Sequence, residues 1–521
     1  MRRSKDAQGG LPAGRQVSPL WMTTPLIRPI LSGMIPMFIN RLARYRWQIA
    51  LGLLLTALVV KYGLPLVRFS LPLGYDPGMY RYLFLRYAEG WPPVILPDLL
   101  PWAREHSMGL FLFTTPLLKA GLPVDWLIGW IWNAFSIVLL CALAWIVSRR
   151  EGRTVGLLVL AMGLLSQAYF DGFYAMYWKT YLALFFLILC FDALERWSPL
   201  SILWALLTLI SHTQTGLILG LSLLSWWAWQ APAMWRDRRW RRFMIALGVV
   251  ALLSLLFYLP HWETAVRSPL FSIFLLRGDQ APGGSFPETL FYVRVTGILL
   301  LLGIGGFINS FRKKRGTLWQ FAVVWCAVFI VFRLVFYRRF YLQLDFFLLP
   351  FAALAFRDLW KHFSMPLLHG VLIVLLLVQG VITFWLSLRV QPDIQPEIFA
   401  IVEQTSKRVF PQNATIIALD NTSAPWLLGW MPQYRVGAPG LFDTPGWTYE
   451  QWEQTLYGDA EVRRTMLESL PPDTFFLETP VLHDYYKEAI DPFLADPCLE
   501  VVAPYVLRVT CAGQDRLVPA S

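Results

Sequence analysis

The sequence predicts a mainly α-helical polytopic membrane protein with a soluble α/β domain after its last membrane span. First, 56% of the 521 residues are hydrophobic and only 15% are charged, and long apolar runs recur from residue 48 to residue 388. Second, the basic clusters between these runs all fall on one side of the predicted layout. Third, the chain after residue 390 is richer in acidic residues and proline, and it carries short β-like runs such as "ATIIAL" (414–419).

About eleven membrane spans are predicted from the apolar runs, because roughly 17–25 apolar residues cross the hydrocarbon core as a helix. In chain order the predicted spans are 48–66, 125–147, 154–169, 177–194, 199–211, 215–231, 242–260, 292–310, 317–336, 341–356 and 365–388. The run 199–211 is short, and we expect its helix to continue past Ser211. The apolar run 108–121 is expected to lie along the outer face or to dip into it without crossing.

The loop charges predict the orientation, since cytoplasmic loops carry an excess of lysine and arginine. The basic clusters are "RLARYR" (41–46), "SRREGR" (148–153), "RDRRWRR" (236–242), "FRKKR" (311–315) and "RDLWKH" (357–362). We therefore expect a cell-membrane protein with a cytoplasmic N-terminus and an extracytoplasmic C-terminal domain. The net charge of +11 fits loops beside anionic membrane lipids. No basic run is interleaved with base-stacking aromatic residues, so nucleic acid is not an expected partner.

Three regions follow from this layout. A basic cytoplasmic tail (1–46) precedes a transmembrane domain (47–390), which contains a first outer loop (67–124). The soluble C-terminal domain covers residues 391–521. Within it, Cys498 and Cys511 flank two short β-like runs joined by a turn, and in an oxidising compartment this pair could form a disulfide.

Unusual ionisable residues gather at the outer ends of the predicted spans, while the inner ends carry basic anchors and little else. Ionisable groups at membrane depth are costly, so a one-sided set of them indicates chemistry on the outer face. The set comprises Asp76, His106, Asp171, Lys179, His212, Glu263, Arg333, Arg338 and Asp345.

Asp76 has two interpretations in the stretch "GYDPGMYRYLFLRYAEG" (74–90). Aspartate before Pro77 is a favoured start of a helix, and an aromatic stripe that includes Tyr80 fits a helix in the membrane interface. A carboxylate at such a position can also face a cleft, so a catalytic role is open. Asp171, which precedes Gly172, is either a turn residue or a second acid of a site.

The basic candidates also have alternatives. Lys179 either snorkels to the lipid headgroups or binds phosphate. His212 either satisfies backbone groups or binds a ligand, and no second histidine stands at metal-ligand spacing, so no metal is expected. No glycine-rich phosphate loop follows a strand, so no nucleotide cofactor is expected either.

The stretch "FRLVFYRRFYLQLDFF" (332–347) places arginines and an acid around one outer turn. We expect Arg333 to pair with Asp345 across the helical hairpin. Arg338 and Arg339 lie closer to the surface. They either hold a phosphate through forked hydrogen bonds or anchor lipid headgroups.

This arrangement resembles the GT-C superfamily of membrane glycosyltransferases, which includes the protein O-mannosyltransferases and the lipid A aminoarabinose transferase. The resemblance covers most of the chain. It rests on "GYDPGMYRYL" in the first outer loop, "REHSMGLFLFTTPLLKAGLP" before the second span, "MYWKTYLALFF" at the fourth, "YRRFYLQLDFFLLPFAAL" near the tenth, and "PQYRVGAPGLFD" (432–443) in the C-terminal domain.

The resemblance implies transfer of a sugar from a polyprenyl-phosphate lipid to a glycan, lipid or protein acceptor on the outer face. By position it gives the role of general base to Asp76 and that of a second site acid to Asp171. Arg338, Arg339 and Lys179 are then the candidate ligands of the donor phosphate. The further site candidates are His106, His212, Glu263, Arg333 and Tyr80. Many members of the superfamily carry two acids in the first loop, whereas here Pro77 and Gly78 follow Asp76, which again predicts no metal.

Other functions are compatible with the same layout. The protein could be a non-catalytic lipid-binding or scaffold protein, or a transferase like the O-antigen ligases with a diphosphate-linked donor. Those ligases lack a sizeable soluble C-terminal domain, and a transporter is disfavoured because polar residues at mid-membrane depth are sparse. A transferase predicts an outer cavity that unites Asp76, Asp171 and the arginines of 333–339 and opens to lipid. A scaffold predicts no such cavity.

Overall fold

Apolar helices build the chain up to residue 389, and a five-stranded sheet with short helices builds the remainder, in the computed structural model of the protein. The structure describes residues 28–89, 99, 101–104, 106–259, 262, 267, 271, 286–313, 316–363, 365–442 and 444–513. Glu263, much of the predicted tail (1–46) and part of the first outer loop lie outside the described residues. Contacts divide the chain into Met1–Gly52 and Leu53–Ser521, and the features below belong to the second unit.

The first part of the described chain consists of helices. In chain order they are α1 (Arg28–Arg68), α2 (Pro77–Glu89), α3 (Pro101–Arg104), α4 (Gly109–Lys119), α5 (Val124–Leu127), α6 (Trp130–Glu151), α7 (Arg153–Leu165), α8 (Gln167–Tyr174), α9 (Trp178–Glu195), α10 (Leu200–Ser211), α11 (Thr213–Met234), α12 (Arg238–Tyr258), α13 (Thr289–Lys313), α14 (Leu318–Val331), α15 (Phe340–His362) and α16 (Pro366–Arg389). A short 3-10 helix, Tyr337–Arg339, leads into α15.

Within the described residues, five helical segments are long and apolar enough to cross a membrane. They are Tyr45–Arg68, Val124–Glu151, Thr289–Lys313, Tyr337–His362 and Pro366–Arg389. The pair α7 and α8, bent by 58°, makes a sixth if it counts as one span. The predicted multi-pass membrane fold is therefore confirmed, while the count of eleven spans stays a prediction. Helix α4, in the run expected not to cross, is about 17 Å long, which is short of the roughly 30 Å hydrocarbon core.

The C-terminal domain is a mixed sheet with helices on both faces, which confirms the predicted α/β domain. Its elements are α17 (Pro396–Ser406), β1 (Thr415–Ala418), α18 (Ala424–Trp430), β2 (Arg435–Gly437), α19 (Tyr449–Tyr457), α20 (Ala460–Glu468), β3 (Thr474–Leu477), α21 (Pro480–Tyr486), the 3-10 helix Lys487–Ile490, α22 (Asp491–Leu494), β4 (Leu499–Ala503) and β5 (Val506–Val509). The strand order is β2-β1-β3-β5-β4. Strands β2, β1 and β3 are parallel, and β5 and β4 add an antiparallel edge. A disulfide joins Cys498 to Cys511 beside that edge.

The two faces of this sheet bury different partners, because successive side chains of a strand point to opposite sides. Ile417 packs with α19 and α20 in a core that belongs to the C-terminal domain alone. Its neighbour Ile416 packs with α17 and α18 in a core that also contains Leu83 of α2 and Leu110 of α4. The sheet is thereby attached to the first outer loop through a shared apolar core.

The bend between α7 and α8 exposes backbone carbonyls of residues 164–166 inside the helical bundle. The Lys61 ammonium donates to the carbonyls of Leu164 at 2.8 Å and Ser166 at 3.3 Å. The Thr383 hydroxyl and the Gln379 amide donate to the carbonyl between them, at 3.0 Å and 3.4 Å. Since lipid offers no hydrogen bonds, these side chains of α1 and α16 are what makes the break tolerable.

Asp345 belongs to this network, which corrects two expectations from the sequence. Its carboxylate accepts a hydrogen bond from the Ser166 hydroxyl and interacts with the charge of Lys61. The expected ion pair with Arg333 is wrong, because Asp345 is buried in the bundle whereas Arg333 is exposed. Polar residues inside the bundle are also less sparse than the hydropathy pattern indicates.

Replacement of Lys61 by methionine is expected to lower the free energy of unfolding by about 3–5 kcal/mol, because it leaves the buried acids without their cation. Unfolding in mixed micelles would measure this loss. The double variant Lys61→Met/Asp345→Asn should recover part of it, since it removes the orphaned charge. Val60→Met, on the lipid-facing side of α1, serves as the control and should change stability by no more than about 0.5 kcal/mol. Equal stability of Lys61→Met and the control would contradict this account of the helix break.

Candidate functional site

A cavity of about 630 Å³ lies where the first outer loop meets α9, α11 and the segment before α15. One part of its wall is polar and consists of Asp76, His106, Ser107, Lys179, Thr180, His212, Thr213, Gln214 and Arg339. Another part is apolar and includes Leu217, Gly220, Leu221, Leu224, Leu255 and Phe329. Helix α11 contributes to both, because it begins among the polar groups and then runs about three turns along the apolar wall.

Asp76 immediately precedes α2, which begins at Pro77, so it occupies the position that the sequence indicated for a helix cap. Its carbonyl oxygen accepts the N–H of Tyr80 at 3.1 Å. Among the described residues, however, none donates a hydrogen bond to its carboxylate, which instead lines the cavity. The side chain is therefore free to meet a ligand, and its place is set by the backbone on either side.

The charge around Asp76 is mixed. Burial raises the pKa of this carboxyl above its ordinary value of 3.8, and Asp393 acts in the same direction, whereas Lys179 and Arg339 lower it. Burial has the largest effect, so the net pKa is raised. A raised pKa brings a carboxylate closer to the range in which it works as a base at neutral pH.

Lys179 is held by a histidine rather than by an acid. Its ammonium lies 2.7 Å from Nδ1 of His106, and because an ammonium only donates, that nitrogen accepts. Burial, Lys179 and Arg339 lower the pKa of His106 well below 6.5, so the imidazole is neutral and suited to this role. The ammonium also lies 5.8 Å from the ring centre of Tyr80, which turns its face toward a cation.

Arg339 is the second cation of the cavity. Its guanidinium lies 4.9 Å from the ring centre of Phe336 and 5.7 Å from that of Tyr177. Its buried Nε has no hydrogen-bond partner among the described residues. Within the same residues, neither Arg339 nor Lys179 forms an ion pair within 4 Å. Two cations without an acid at contact distance are well placed to bind an anion that enters the cavity.

His212 satisfies backbone groups, which is one of the two roles that the sequence left open, and it also lines the cavity. It precedes α11 and accepts the backbone N–H of Thr215 on Nδ1 at 3.4 Å, which satisfies the start of that helix. The same ring lies 3.5 Å from the hydroxyl of Thr180 and lines the cavity. It is a structural cap that also shapes the polar wall.

Several predicted site residues lie elsewhere. Asp171 accepts a hydrogen bond from Gln167 at 2.7 Å and interacts with Lys61, so it belongs to the network at the helix break. Arg338 points away from the cavity, with its Nε 3.4 Å from the Tyr337 hydroxyl. Arg333 is exposed. A cavity thus lies at the expected place. Asp76 and Arg339 line it, as do the further candidates Lys179, His106, His212 and Tyr80, whereas Asp171, Arg333 and Arg338 do not.

The uncharged polar groups of the cavity give only a weak signal in the sequence. Ser107, Thr180, Thr213 and Gln214 line it, and no single one of them is unusual in an apolar chain. The available signal was the polar run "SHTQT" (211–215), which opens an otherwise apolar helix. Of this run, only His212 is among the predicted site residues.

The fold and the cavity define a class of polytopic membrane protein in which a first-loop acid faces a cavity with polar and apolar walls beneath an α/β domain. Solved structures with a similar fold include an oligosaccharyltransferase of Archaeoglobus fulgidus, with a TM-score of 0.59 and 11% identity over 86% of this chain and 71% of that chain. The same organism's AglB, in complex with an inhibitory peptide and a dolichol-phosphate, has a TM-score of 0.58 and 10% identity over 87% and 71%. ArnT from Cupriavidus metallidurans, bound to undecaprenyl phosphate, has a TM-score of 0.55 and 14% identity over 90% and 99%.

These neighbours are membrane glycosyltransferases of the GT-C superfamily, so the chain has the GT-C fold and the resemblance noted in the sequence is confirmed for the fold. At 10–14% identity the likeness concerns the fold alone. No protein-family model matches the chain, and no curated protein matches it by sequence.

Proposed function

We propose that this protein is an integral membrane glycosyltransferase that moves a sugar from a polyprenyl-phosphate donor to an acceptor on the outer face of the membrane. The observation that carries the proposal is one cavity in which the Asp76 carboxylate faces the two cations Lys179 and Arg339, beside an apolar wall. The undecaprenyl phosphate bound by ArnT and the dolichol-phosphate bound by AglB support this class of donor.

The two cations suit the donor phosphate. When the bond between the sugar and the phosphate oxygen breaks, the departing polyprenyl phosphate gains one negative charge. Lys179 and Arg339 would stabilise that charge, and Arg339 has donors to spare because its Nε is otherwise unpaired among the described residues. The neutral His106 accepts from Lys179 without forming an ion pair with it, so the ammonium remains available to the phosphate.

The apolar wall suits the isoprenoid tail. From Gln214 to Leu224, α11 advances about 15 Å along the cavity. A Cβ added at Gly220 would meet no atom within 4 Å, so the glycine leaves open space between the leucines of this wall. A flexible hydrocarbon chain could lie there while its phosphate reaches the cations at the polar end.

Asp76 is the proposed general base. The acceptor hydroxyl attacks the anomeric carbon, the new carbon–oxygen bond forms as the old one breaks, and the carboxylate takes the hydroxyl proton. A nearby carboxylate also stabilises positive charge that develops on the sugar. Asp171 and Arg338, which the sequence also favoured, lie outside the cavity, and we assign neither of them a part in the transfer.

The cavity and the C-terminal domain are proposed to face away from the cytoplasm. Arg149 and Arg150 lie at the C-terminal end of α6, whereas Trp132 near the start of that helix stacks on Trp178, the neighbour of Lys179 in the cavity wall. The disulfide Cys498–Cys511 fits an oxidising compartment. Alkaline phosphatase fused after residue 391 should therefore be active, and the same reporter fused after residue 151 should be inactive. The reverse pattern would overturn the orientation.

Asp76→Asn is expected to abolish release of polyprenyl phosphate from a pool of polyprenyl-phosphate sugars, by a factor of about 10²–10⁴. Asparagine has nearly the same shape but is a very poor base. In the wild type, kcat/KM should fall on acidification at a pH above that of an ordinary carboxyl, because the folded pKa of Asp76 is raised and only the ionised form is a base. Equal turnover of the two proteins would exclude Asp76 as the base. A wild type that binds polyprenyl phosphate but never turns over would favour the lipid-binding or scaffold function.

Arg339→Gln is expected to weaken binding of polyprenyl phosphate about tenfold or more, because one of the two cations is lost. Arg338→Gln is the matched control, since it removes the same charge from the adjacent residue, which points away from the cavity. Binding would be measured by titration of the detergent-solubilised protein with polyprenyl phosphate. If both variants lost affinity equally, general attraction to the anionic lipid would explain the result, and the assignment of Arg339 would fail.

A further inference from the structure

The C-terminal domain contacts the helix that begins directly after Asp76. Helices α2 and α18 cross at Gly78 and Gly429. A Cβ placed on Gly78 would lie 1.8 Å from the carbonyl oxygen of Pro425, and one placed on Gly429 would lie 2.4 Å from Cα of Gly78. No side chain fits between backbones at this distance, so glycine at both positions is what permits the crossing.

Hydrogen bonds reinforce the crossing on both sides of Asp76. The Tyr75 hydroxyl donates to the carbonyl oxygen of Asn421 at 2.7 Å. Arg81, one turn into α2, donates to the carbonyl oxygen of Gly429 at 2.5 Å, and its guanidinium lies 4.8 Å from the ring centre of Trp430. The residue before Asp76 and the first turn after it are therefore both attached to the C-terminal domain.

The membrane domain holds the same segment from the other side. Gly74 has a φ of +85°, and a Cβ there would lie 2.8 Å from both the Tyr174 carbonyl oxygen and Cγ of Met176, which lines the cavity. The Tyr174 hydroxyl in turn donates to Asp393 at 2.5 Å, at the start of the C-terminal domain. Residues 74–78 thus run between two surfaces that are themselves linked.

We propose that the C-terminal domain is a positioning element for Asp76, acting through the Gly78–Gly429 crossing and the Tyr75–Asn421 hydrogen bond. The inference rests on the proposed function and gives the domain a part in it. The carboxylate has no hydrogen-bond donor among the described residues, so the backbone of 74–78 sets the position from which it reaches into the cavity. A base must be held to within about 0.5 Å of its productive position, and misplacement by about 1 Å can cost 10²-fold in rate.

The test is the variant Gly429→Ala in the full-length protein. The added methyl group must push α2 away, so kcat for release of polyprenyl phosphate should fall about 10- to 100-fold, with the KM for the donor within twofold of the wild type. The acid limb of the pH–rate profile should also move to lower pH, because a displaced Asp76 is less buried. Gly370→Ala in α16, where a Cβ meets no atom within 4 Å, is the matched control and should behave as the wild type.

Hydrogen–deuterium exchange of the α2 amides provides a readout that does not need turnover. Exchange should be faster in Gly429→Ala than in both the wild type and Gly370→Ala. If the wild type has no turnover, the proposed function fails, and exchange alone then decides whether the C-terminal domain holds α2. Unchanged exchange together with unchanged kcat in a folded Gly429→Ala protein would overturn the proposal, as would a rise in donor KM at constant kcat.

Tyr75→Phe covers the case in which Gly429→Ala does not fold. It removes one hydroxyl at the surface of the contact and should leave the melting temperature nearly unchanged. We expect a several-fold fall in kcat and faster exchange at the start of α2, both in the same direction as for Gly429→Ala. Wild-type values for both quantities in Tyr75→Phe would count against the proposed positioning role.

Discussion

Backbone carbonyls exposed by the break between α7 and α8 must find hydrogen-bond donors within the bundle, and much of the architecture depends on that requirement. Lys61 and the polar residues of α16 meet it, which ties two helices distant in sequence to the bend. The bend sets the direction of α8, which ends at Tyr174. Since the Tyr174 carbonyl packs on Gly74, a polar network inside the bundle sets one of the two surfaces that bracket Asp76.

The two cations of the cavity have no acid at contact distance among the described residues. Lys179 and Arg339 lie against aromatic faces and a neutral imidazole. Within the described part of the chain, Asp76 is the one acid on the wall, and no side chain donates a hydrogen bond to it. An arrangement of this kind stabilises the empty protein less than a set of ion pairs would. A bound phosphate can supply the missing anionic partner, so ligand binding and stability are expected to be coupled. This is why we regard the cluster as a site rather than as a structural network like the one around Asp192, where Arg149 and Arg150 pair with a buried acid.

The sequence predicts the fold well, because the composition of each segment is enough to indicate it. It predicts the site less well, because the site depends on the direction in which individual side chains point. Apolar runs and the composition after residue 390 are enough for a multi-pass bundle with an α/β domain, and the Asp76–Pro77 pair marks a helix start in the first loop. The sequence could not choose between Arg338 and Arg339, because neighbours in a 3-10 turn point about 120° apart. Nor could it reveal Lys61, whose partners are carbonyls freed by a bend that hydropathy does not register. The sequence assigned Asp171 to the site because it stands at a predicted outer turn. The same bend, however, directs its side chain into the bundle.

The C-terminal domain contributes no described residue to the wall of the cavity, yet it touches the chain on both sides of the one acid there. The most direct route to the chemistry is therefore the backbone of 74–78, beside the apolar core that the domain shares with the first outer loop. Backbone contacts between glycines transmit small displacements directly, because no flexible side chain lies between them to absorb the change. It follows that the exposed surface of the domain can vary widely without affecting the cavity, whereas the crossing of α2 and α18 cannot shift without moving Asp76.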